Sequence, residues 1–585
     1  MNYIDNIRLD DCFTKDNDLA LMNGVQALVR LLIEQAKLDE DNGLVTHGYV
    51  SGYPGSPLGT LDLELGRSKK HLEKHNIIFQ PAVNEELAAT AAWGTQMLGL
   101  YDRPQIDGVF SMWYGKGPGL DRSMDALRHA NMGGVSMKGG MVLAVADDPI
   151  GKSSTIAYQS EQSLISAGIP VFYPANVDEV IPMGLQAFAL SRHAGICVAL
   201  KITSDTADSN SVIDLEKLRP NLTKLEDPIN VHVNRHDPAL DREAALIKRR
   251  IPASKHFIKE NKINKIIFNP TKKILGIIAV GKAKTETIDA LDKIGIKDPE
   301  KSGIGLFACK IPWPLIDQEI INFCENFEEI LVIEEKAGIV EEQVAHILFN
   351  CKSRPQLSGK LDASSKEELI PKISELSSDI IADCLLKKVG HSSINFDIPK
   401  KDLKRLPKTG PFITISNHPL GGIDGILLLK LLLESRPDFK IIANFLLHRI
   451  EPLKPYVMPV NPFEQSKSSS GSIAGFKSAL THLQSGFGLG IFPAGEVSTY
   501  RDGKLLVDKS WEVAAMKLIK RAEVPVVPIY FHAQNSSLFY RLARISDTLR
   551  TAKLPSELLT QKQRVIRVRI GRPIAVEDQK QHESL

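Results

Sequence analysis

The chain of 585 residues has little cysteine and no long apolar run. Its six cysteines are scattered without a Cys-x-x-Cys pair, so the sequence predicts neither an iron–sulfur cluster nor a structural zinc site, and it favours a reducing compartment. The most apolar helix-like run, 425–433, is interrupted by Lys430 and is far shorter than the roughly 20 residues that cross a bilayer. The first residues are acidic and polar, unlike a signal peptide. We therefore expect a cytoplasmic protein.

The net charge of +2 is also small, but it is unevenly distributed. Residues 386–585 hold 30 lysines and arginines against 17 acidic residues, whereas the rest of the chain holds 42 against 53. A basic C-terminal half suits an anionic membrane surface or a phosphate-bearing substrate, and a solvated basic face explains the charge equally well. No nucleic-acid-reading motif accompanies the charge, so we expect no nucleic acid partner. The asymmetry predicts separate partners for the two halves.

Apolar runs alternate with helical patterns along the chain, which predicts an α/β fold. The length suggests about three to four domains. Buried strands are predicted at 141–146 and 195–201, and an Ala-rich helix at 85–99, so the first part reads as a doubly wound parallel sheet. The predicted divisions are a first domain at 15–245, a charged connector at 235–270, a second domain at 270–385, a linker at 386–408 and a last domain at 409–585.

Strands and helices are also predicted in the later domains from the same alternation. The second domain has strands at 275–280, 304–308 and 330–334 and a helix at 282–294. The last domain opens with a strand at 411–416 and closes with one at 565–571.

Three stretches of the first domain have the residues of a ligand site. The loop 51–59 (SGYPGSPLG) follows a predicted strand, Glu85 and Glu86 open a helix, and 115–122 (GKGPGLDR) is a second Gly-rich loop. A Gly/Pro loop after a strand lets the backbone approach a ligand closely, but a tight turn explains a lone loop as well. Glu85 is equally compatible with a simple interaction with the helix dipole.

Together and in order, these stretches resemble the large subunit of indolepyruvate:ferredoxin oxidoreductases, in the wider pyruvate:ferredoxin oxidoreductase family, over about 15–385. The resemblance implies a domain at 15–245 that binds the aminopyrimidine of thiamine diphosphate. A transketolase C-terminal-like domain follows at 270–385, with 332–336 (VIEEK) as its signature. Glu85, or less convincingly Glu86, matches the glutamate that protonates the pyrimidine ring. The loop expected over substrate and cofactor contains Tyr53, Pro54, Gly55 and Ser56.

The sequence departs from that family in one important respect. It contains no Gly-Asp-Gly, with which the family anchors the pyrophosphate through Mg²⁺, and no ferredoxin-type cluster. No metal site is predicted, and the thiamine diphosphate site is expected to be incomplete. Either a partner chain completes it, with an oxidoreductase subunit or ferredoxin as partner, or the module no longer catalyses the family reaction.

The last domain has a different candidate site. His418 and Asp424 lie in a turn-rich loop between a predicted strand and an apolar helix. Asp424 would hold one imidazole nitrogen and leave the other to take a proton from a hydroxyl. The alternative is an aspartate that caps the helix beside an incidental histidine. A further loop, 492–498 (FPAGEVS), follows another predicted strand.

In this order the motifs resemble the phospholipid/glycerol acyltransferase family, especially its hemolysin-like branch, over about 390–580. That family transfers an acyl group from acyl-CoA or acyl-carrier protein to a lipid hydroxyl or amine. His418 and Asp424 match its catalytic pair, although the spacing here is His-x5-Asp instead of His-x4-Asp, and Ala494 stands where the family has glutamate. The residues that match its substrate-binding blocks are Phe492, Pro493, Gly495, Glu496, Ser498 and either Arg449 or Lys454.

The C-terminal half keeps a full set of motifs, whereas the N-terminal half lacks the cofactor-anchoring part. We therefore predict an acyltransferase acting on a lysophospholipid or glycerol-phosphate type acceptor, fused to an incomplete 2-oxoacid:ferredoxin oxidoreductase module. One alternative is a thiamine-diphosphate-dependent oxidoreductase subunit that needs a partner chain. Another is a fused reading frame whose N-terminal half is a non-enzymatic, dimerising scaffold. We expect a homo-oligomer, cytoplasmic and peripheral on the inner face of the membrane.

Overall fold

The computed structural model describes residues 8, 10–152, 156–234, 237–389, 396–433, 435–444, 451–460, 470–501, 505–536, 539–540 and 566–581. The chain divides into two compact units, Met1–Lys388 and Val389–Leu585. The first unit contains two largely parallel sheets and the second unit one, with helices between successive strands. The α/β fold class predicted from the alternation of apolar runs and helical patterns is therefore confirmed.

The first unit contains a six-stranded parallel sheet with the strand order β3-β2-β4-β5-β7-β6. Its central strands are buried on both faces, which is why they read as continuous apolar runs rather than as alternating patterns. A separate antiparallel pair joins β1 to β8. The strands are β1 Leu19–Asn23, β2 Thr46–Gly52, β3 Ile77–Phe79, β4 Gly108–Lys116, β5 Met141–Asp147, β6 Val171–Phe172, β7 Val198–Thr203 and β8 Asn210–Asp214.

Capping side chains define the beginnings of two helices of this sheet domain. Asn23 and Gln26 form a reciprocal capping box at the start of α2, and Asn84 accepts the backbone N–H of Leu87 at the start of α5. The helices are α1 Asp11–Thr14, α2 Gly24–Asp41, α3 Leu61–Arg67, α4 Lys69–Lys74, α5 Glu85–Thr95, α6 Gly117–Gly133, α7 Glu161–Ser166, α8 Val180–Ala194 and α9 Ser204–Asp208.

Much of the charged stretch predicted as a connector, 235–270, is helical. It contains α10 Ala239–Ala245, a π-helical turn at Leu246–Arg250 and α11 Ile251–Glu260. Arg250 is fully buried, and its guanidinium donates to the carbonyl oxygens of Val231 and of Met132 near the end of α6 (2.5 and 2.7 Å). Burial lowers the pKa of Arg250 to about 10. Arginine is a residue type typical of solvent-exposed loops, but here it is buried and bonds backbone carbonyl oxygens, including one near the end of a helix.

A five-stranded sheet completes the first unit, with the order β13-β12-β10-β11-β9. All neighbours are parallel except β9, which pairs antiparallel to β11 at one edge. The strands are β9 Lys265–Phe268, β10 Leu275–Val280, β11 Ile304–Cys309, β12 Glu329–Ile333 and β13 Gln356–Ser358. The helices are α12 Ala283–Lys293, α13 Asp317–Cys324, α14 Ile339–Leu348 and α15 Ser378–Val389.

The second unit is built on a seven-stranded sheet with the order β14-β22-β21-β15-β18-β16-β17. The five strands from β21 to β17 are mutually parallel, and β22 runs antiparallel to β21. Within 386–408, the stretch predicted as a linker, β14 pairs with β22. The strands are β14 Phe396–Asp397, β15 Phe412–Ser416, β16 Lys440–Asn444, β17 Val457–Val460, β18 Gly488–Ile491, β21 Val526–His532 and β22 Ile566–Ile570, with an antiparallel ribbon of β19 Thr499–Arg501 and β20 Leu505–Val507.

Helices pack on this sheet in two separate core clusters. Because the strands from β21 to β17 are parallel, their carboxyl ends lie at one edge, where ligand sites of such sheets are found. The helices are α16 Lys400–Leu403, α17 Gly422–Leu432, α18 Ser470–Gln484, α19 Val513–Ala522 and α20 Val576–Lys580. In the part of the chain that the structure describes, no helix combines the length and apolarity needed to span a bilayer.

Candidate functional site

His418 lies at the carboxyl edge of the seven-stranded sheet, two residues after β15 ends at Ser416. Its neighbour Asn417 fixes the chain there by bonding to the adjacent strand β21. The Asn417 amide nitrogen donates to the carbonyl oxygen of Phe531 (3.0 Å), and its amide oxygen accepts the Phe531 N–H (2.7 Å). These two bonds continue the ladder between β15 and β21 by one side chain, so the position of His418 is set by the sheet.

Asp424, in the first turn of α17, stands directly beside His418. The His418 Nδ1 lies 3.2 Å from the Asp424 Oδ2, and the aspartate is fully buried while the histidine side chain is 15% exposed. The same Oδ2 accepts the Leu420 N–H at 2.8 Å. Burial raises the pKa of Asp424, and His418 opposes that rise. A carboxylate at Nδ1 leaves Nε2 as the imidazole nitrogen available for proton transfer.

The unusual spacing between His418 and Asp424 is accommodated by glycine. Gly421 has a φ of 76° and a ψ of −137°, a conformation that side-chain-bearing residues avoid. It lies immediately before α17, in the turn between His418 and Asp424. The longer spacing is therefore compatible with the close approach of the two side chains.

The loop after β18 contains five of the predicted substrate-binding residues and packs on His418. The Phe492 ring lies 4.6 Å from the imidazole, centroid to centroid, at 37°. The Ser498 N–H donates to the His418 carbonyl oxygen at 2.9 Å. Between them Gly495, with a φ of 66°, closes a turn onto the Phe492 carbonyl. Pro493 accepts the N–H of Glu512 through its carbonyl, and Glu496 forms a surface ion pair with Lys509.

Within this loop, Phe492 and Ser498 contact His418 directly. Arg449 lies outside the described residues. Its alternative, Lys454, is exposed in the 3₁₀-helical segment Glu451–Tyr456.

Asp508 is a residue of this site that the sequence did not indicate. Its Oδ1 accepts both the hydroxyl of Ser498 and the backbone N–H of His418, the latter at 3.4 Å. It thus joins the loop after β15 to the loop after β18. Asp508 follows the short strand β20 and belongs to no recognisable motif, so only the fold reveals its connection to a residue 90 positions earlier.

A cavity of about 450 Å³ opens beside these loops. Five of its ten lining residues are apolar or aromatic and four are polar or charged, a combination found in small-molecule sites. Its lining residues are Ile415, Ser416, Asn417, Asp508, Trp511, Pro528, Ile529, Tyr530, Arg569 and Gly571.

In the first unit, Glu85 is buried at the first position of α5. Its backbone carbonyl accepts the indole N–H of Trp113 at 2.9 Å, and its carboxylate lies against Gly119 in the first turn of α6. A Cβ at Gly119 would lie 2.5 Å from the Glu85 Oε1, so the carboxylate occupies space that any other residue would fill. Glu86, the weaker alternative, is exposed on the same helix.

The predicted cofactor loop lies where β2 ends, beside the end of β4. The Tyr53 N–H donates to the Tyr114 carbonyl oxygen at 3.3 Å, and Gly55 packs against the Lys116 side chain. Tyr53 and Pro54 are exposed, whereas Gly55 and Ser56 are half-buried. The loop and Glu85 therefore both flank the beginning of α6.

These residues fit only part of thiamine diphosphate. Glu85 presents a buried carboxylate for the pyrimidine ring, but the pyrophosphate also needs groups that hold its divalent cation. Among the residues that the structure describes, no three His, Cys, Asp or Glu side chains cluster as a cation site. We therefore derive no catalytic step through this cofactor.

Comparison with known proteins gives the class of each part. Residues 387–585 match the family model described as Acyltransferase, and residues 265–409 match the model described as Indolepyruvate oxidoreductase domain. The chain thus fuses an acyltransferase domain to a part similar to indolepyruvate oxidoreductase, and both resemblances expected from the sequence are confirmed.

Individual relatives agree with this division. Indolepyruvate oxidoreductase subunit IorA of Methanothermobacter thermautotrophicus is 24% identical over 403 residues, which are 67% of this chain and 58% of the relative. Lyso-glycine lipid O-acyltransferase of Bacteroides thetaiotaomicron is 32% identical over 184 residues, 30% of this chain and 64% of the relative. A solved 2-oxoglutarate:ferredoxin oxidoreductase from Magnetococcus marinus aligns at a TM-score of 0.45 and 17% identity, covering 64% of this chain and 66% of its own. The chain therefore spans less than two thirds of either curated relative.

Proposed function

We propose that the second unit transfers an acyl group from a thioester donor to a hydroxyl of a lysolipid, with His418 as the general base. The observation that carries this proposal is the pair of His418 and the fully buried Asp424, 3.2 Å apart at the carboxyl edge of the sheet. The match of this unit to an acyltransferase family supports the same chemistry.

The proposed reaction needs little beyond proton transfer, because a thioester is already activated. Asp424 keeps the imidazole proton on Nδ1, so that Nε2 takes the proton of the acceptor hydroxyl as its oxygen attacks the thioester carbonyl. The carbon–sulfur bond then breaks, and the imidazolium returns the proton to the leaving thiolate. We propose acyl-CoA or acyl-carrier protein as the cosubstrate that supplies this thioester.

The acceptor class follows from the relatives and from the charge of the unit. Two relatives, each 32% identical, are named lyso-glycine lipid O-acyltransferases, which makes a lysolipid hydroxyl the first acceptor to test. The excess of basic residues after 385 also suits lysophospholipid or glycerol-phosphate acceptors. We propose that the protein meets them while bound peripherally at the inner face of the membrane.

The test is acyl transfer by the full chain and its His418→Ala variant, with lyso-glycine lipid, lysophosphatidate and glycerol phosphate as acceptors. A positioned general base contributes about 10²–10⁴-fold, so turnover should fall by that order. His482→Ala is the control, because His482 lies on α18 and bonds the Gly488 carbonyl (3.1 Å) away from the loops of the site. Equal turnover in wild type and His418→Ala would refute the assignment, and a parallel loss of melting temperature would support a purely structural role.

A second candidate function, oxidoreductase chemistry in the first unit, rests on Glu85 and its place against Gly119. It requires a partner chain, because no cluster of His, Cys, Asp or Glu side chains among the described residues could hold the divalent cation of the pyrophosphate. We expect the full chain alone to bind thiamine diphosphate with Mg²⁺ no better than about millimolar, which calorimetric titration measures. Micromolar affinity for thiamine diphosphate would support the oxidoreductase hypothesis, whereas no binding would favour a non-enzymatic scaffold role for the first unit.

A further inference from the structure

Exposed apolar side chains stand at the cavity of the second unit, where Trp511 and Tyr530 line it and Val513 follows Trp511 by two residues. Trp511 is 39% exposed, Val513 is 67% exposed and Tyr530 is 51% exposed. Trp511 and Tyr530 also line the cavity, so this surface is continuous with its interior. We call these three residues the apolar lip. Tryptophan and tyrosine combine a large apolar ring with one polar atom, which suits them to the boundary between lipid and water.

Helix α19 begins at Val513 in the lip and carries basic residues on the same side. Val513, Lys517 and Arg521 recur every four residues and so share one side of the helix. Lys520 is exposed as well, whereas Leu518 and Ile519 are buried in the core.

Of the acidic residues near α19, Glu523 pairs with Lys580 at 3.0 Å and Glu496 with Lys509. Glu512, the exposed N-cap residue of α19, lies between Trp511 and Val513, so one carboxylate stands within the lip. Lys517, Lys520 and Arg521 are all exposed to solvent. Three solvated cations thus stand next to the apolar lip, on a unit that already has an excess of basic residues.

We infer that the apolar lip and these three cations form a docking surface for an anionic lipid bilayer. Apolar and aromatic side chains beside lysine and arginine bind bilayers by burying the former among acyl chains and pairing the latter with lipid phosphates. A solvated basic face accounts for the cations but not for the exposed lip, and the positive charge of the unit complements an anionic surface.

The docking surface adjoins the proposed acyl-transfer site, and this relation rests on the proposed function. Asp508 lines the cavity and also accepts the backbone N–H of His418 at 3.4 Å. A bilayer held at the lip would therefore present its lysolipids beside the loop that positions His418. Such docking would let the acceptor move from bilayer to site without crossing bulk water.

Vesicle sedimentation of the full chain tests the inference, with phosphatidylcholine vesicles compared with phosphatidylcholine–phosphatidylglycerol vesicles. Val513→Glu should lower partitioning onto the anionic vesicles at least about tenfold, because it removes apolar burial and adds a like charge. An acid in the first turn of a helix is favourable, so the variant should fold. Ile373→Glu is the matched control, since Ile373 is 77% exposed in the first unit.

A second variant separates charge from apolar burial. Lys517→Ala combined with Arg521→Ala should lower binding to anionic vesicles by about 30-fold at low salt, at about 1 kcal/mol for each cation. Binding to neutral vesicles should not change. Added salt should reduce the wild-type preference for anionic vesicles, because the attraction is screened beyond about 8 Å at physiological ionic strength.

Acyl transfer to a monomeric short-chain lysolipid, compared with a bilayer-embedded one, separates the two proposals. Val513→Glu should lose transfer only to the embedded acceptor. If Val513→Glu and the double variant bind vesicles as strongly as the wild type, the docking surface is refuted. The apolar lip would then be assigned to a protein partner, and the proposed function would still stand. Val513-dependent binding without any acyl transfer would refute the proposed function and support the surface.

Discussion

The two candidate sites of this chain differ in how much of the chemistry their own unit supplies. Around His418, groups from three separate segments meet: Asp424 in α17, Phe492 after β18 and Asp508 after β20. Around Glu85, the neighbours position a single carboxylate through Gly119 and Trp113. Both sites lie at strand or helix ends of parallel α/β sheets, so the architecture alone does not separate them.

The difference shows that a site must be judged by its complete set of groups. The His418 site brings an imidazole and a buried carboxylate together beside a cavity within one unit. The Glu85 site retains one polar group with good geometry but no described cluster for a divalent cation. We therefore propose acyl transfer as the activity to test first on the chain by itself.

The largest effect is expected on acyl transfer, when His418 and Glu85 are replaced in turn. His418→Ala should reduce acyl transfer by about 10²–10⁴-fold, whereas Glu85→Gln should leave it unchanged. Both rates are measured on the full chain with a thiol-reporting assay for the released donor. A loss of acyl transfer in Glu85→Gln would show that the two units act together.

The next effect concerns Asp424, where activity and stability should move in opposite directions. Asp424→Asn keeps an acceptor for the Leu420 N–H but presents an amide to Nδ1, which disfavours the productive tautomer. Turnover should fall by about 10²-fold. The buried carboxylate costs stability when ionised, so the variant should unfold at an equal or higher denaturant concentration at pH 7.

The raised pKa of Asp424 predicts that the stability of the fold depends on pH. Because burial raises the folded pKa of Asp424 above the unfolded value of 3.8, its contribution to stability is most favourable below that value and declines as pH rises through the folded pKa. The stability gap between Asp424→Asn and wild type should therefore narrow on acidification from pH 7. A gap that widened instead would show that the ionised carboxylate stabilises the fold.

A smaller effect on turnover is expected at Asp508. Asp508→Asn weakens the bonds to Ser498 and to the His418 backbone, and hydrogen bonds to charged groups contribute about 1.5–3 kcal/mol. We expect kcat to fall about tenfold, with little change in the KM of the acyl donor. Ser498→Ala should have a similar effect, and the double variant should not be additive, since both changes remove one interaction. Additive losses of kcat would show that Asp508 and Ser498 do not act through the hydrogen bond between them.

The smallest expected effect lies in the first unit and concerns stability alone. Gly119→Ala would place a Cβ 2.5 Å from the Glu85 carboxylate and should destabilise the unit by about 1–3 kcal/mol. Gly94→Ala, in the last turn of α5 with no atom within 4 Å, should instead stabilise it by about 0.4–1 kcal/mol. Calorimetric melting measures both. Equal effects in the two variants would indicate that Glu85 moves freely away from α6.

Much of this molecule follows from local sequence patterns. Predicted strands at 275–280, 304–308 and 411–416 agree within one residue with β10, β11 and β15. Buried strands of parallel sheets are apolar on both faces, so a short apolar run between turn residues suffices to locate them. His418 and Asp424 were also within reach, because only six positions separate them and the intervening turn brings them together.

Other features depend on contacts between residues that are distant in the chain. The helices at 239–260 looked like a charged connector because nothing in the sequence shows that Arg250 is buried against the end of α6. Asp508 acquires its place beside His418 only when β15 and β18 pair in register and their following loops meet. Periodicity and turn chemistry are local and appear in the sequence, whereas the packing of one loop on another is decided by the whole sheet.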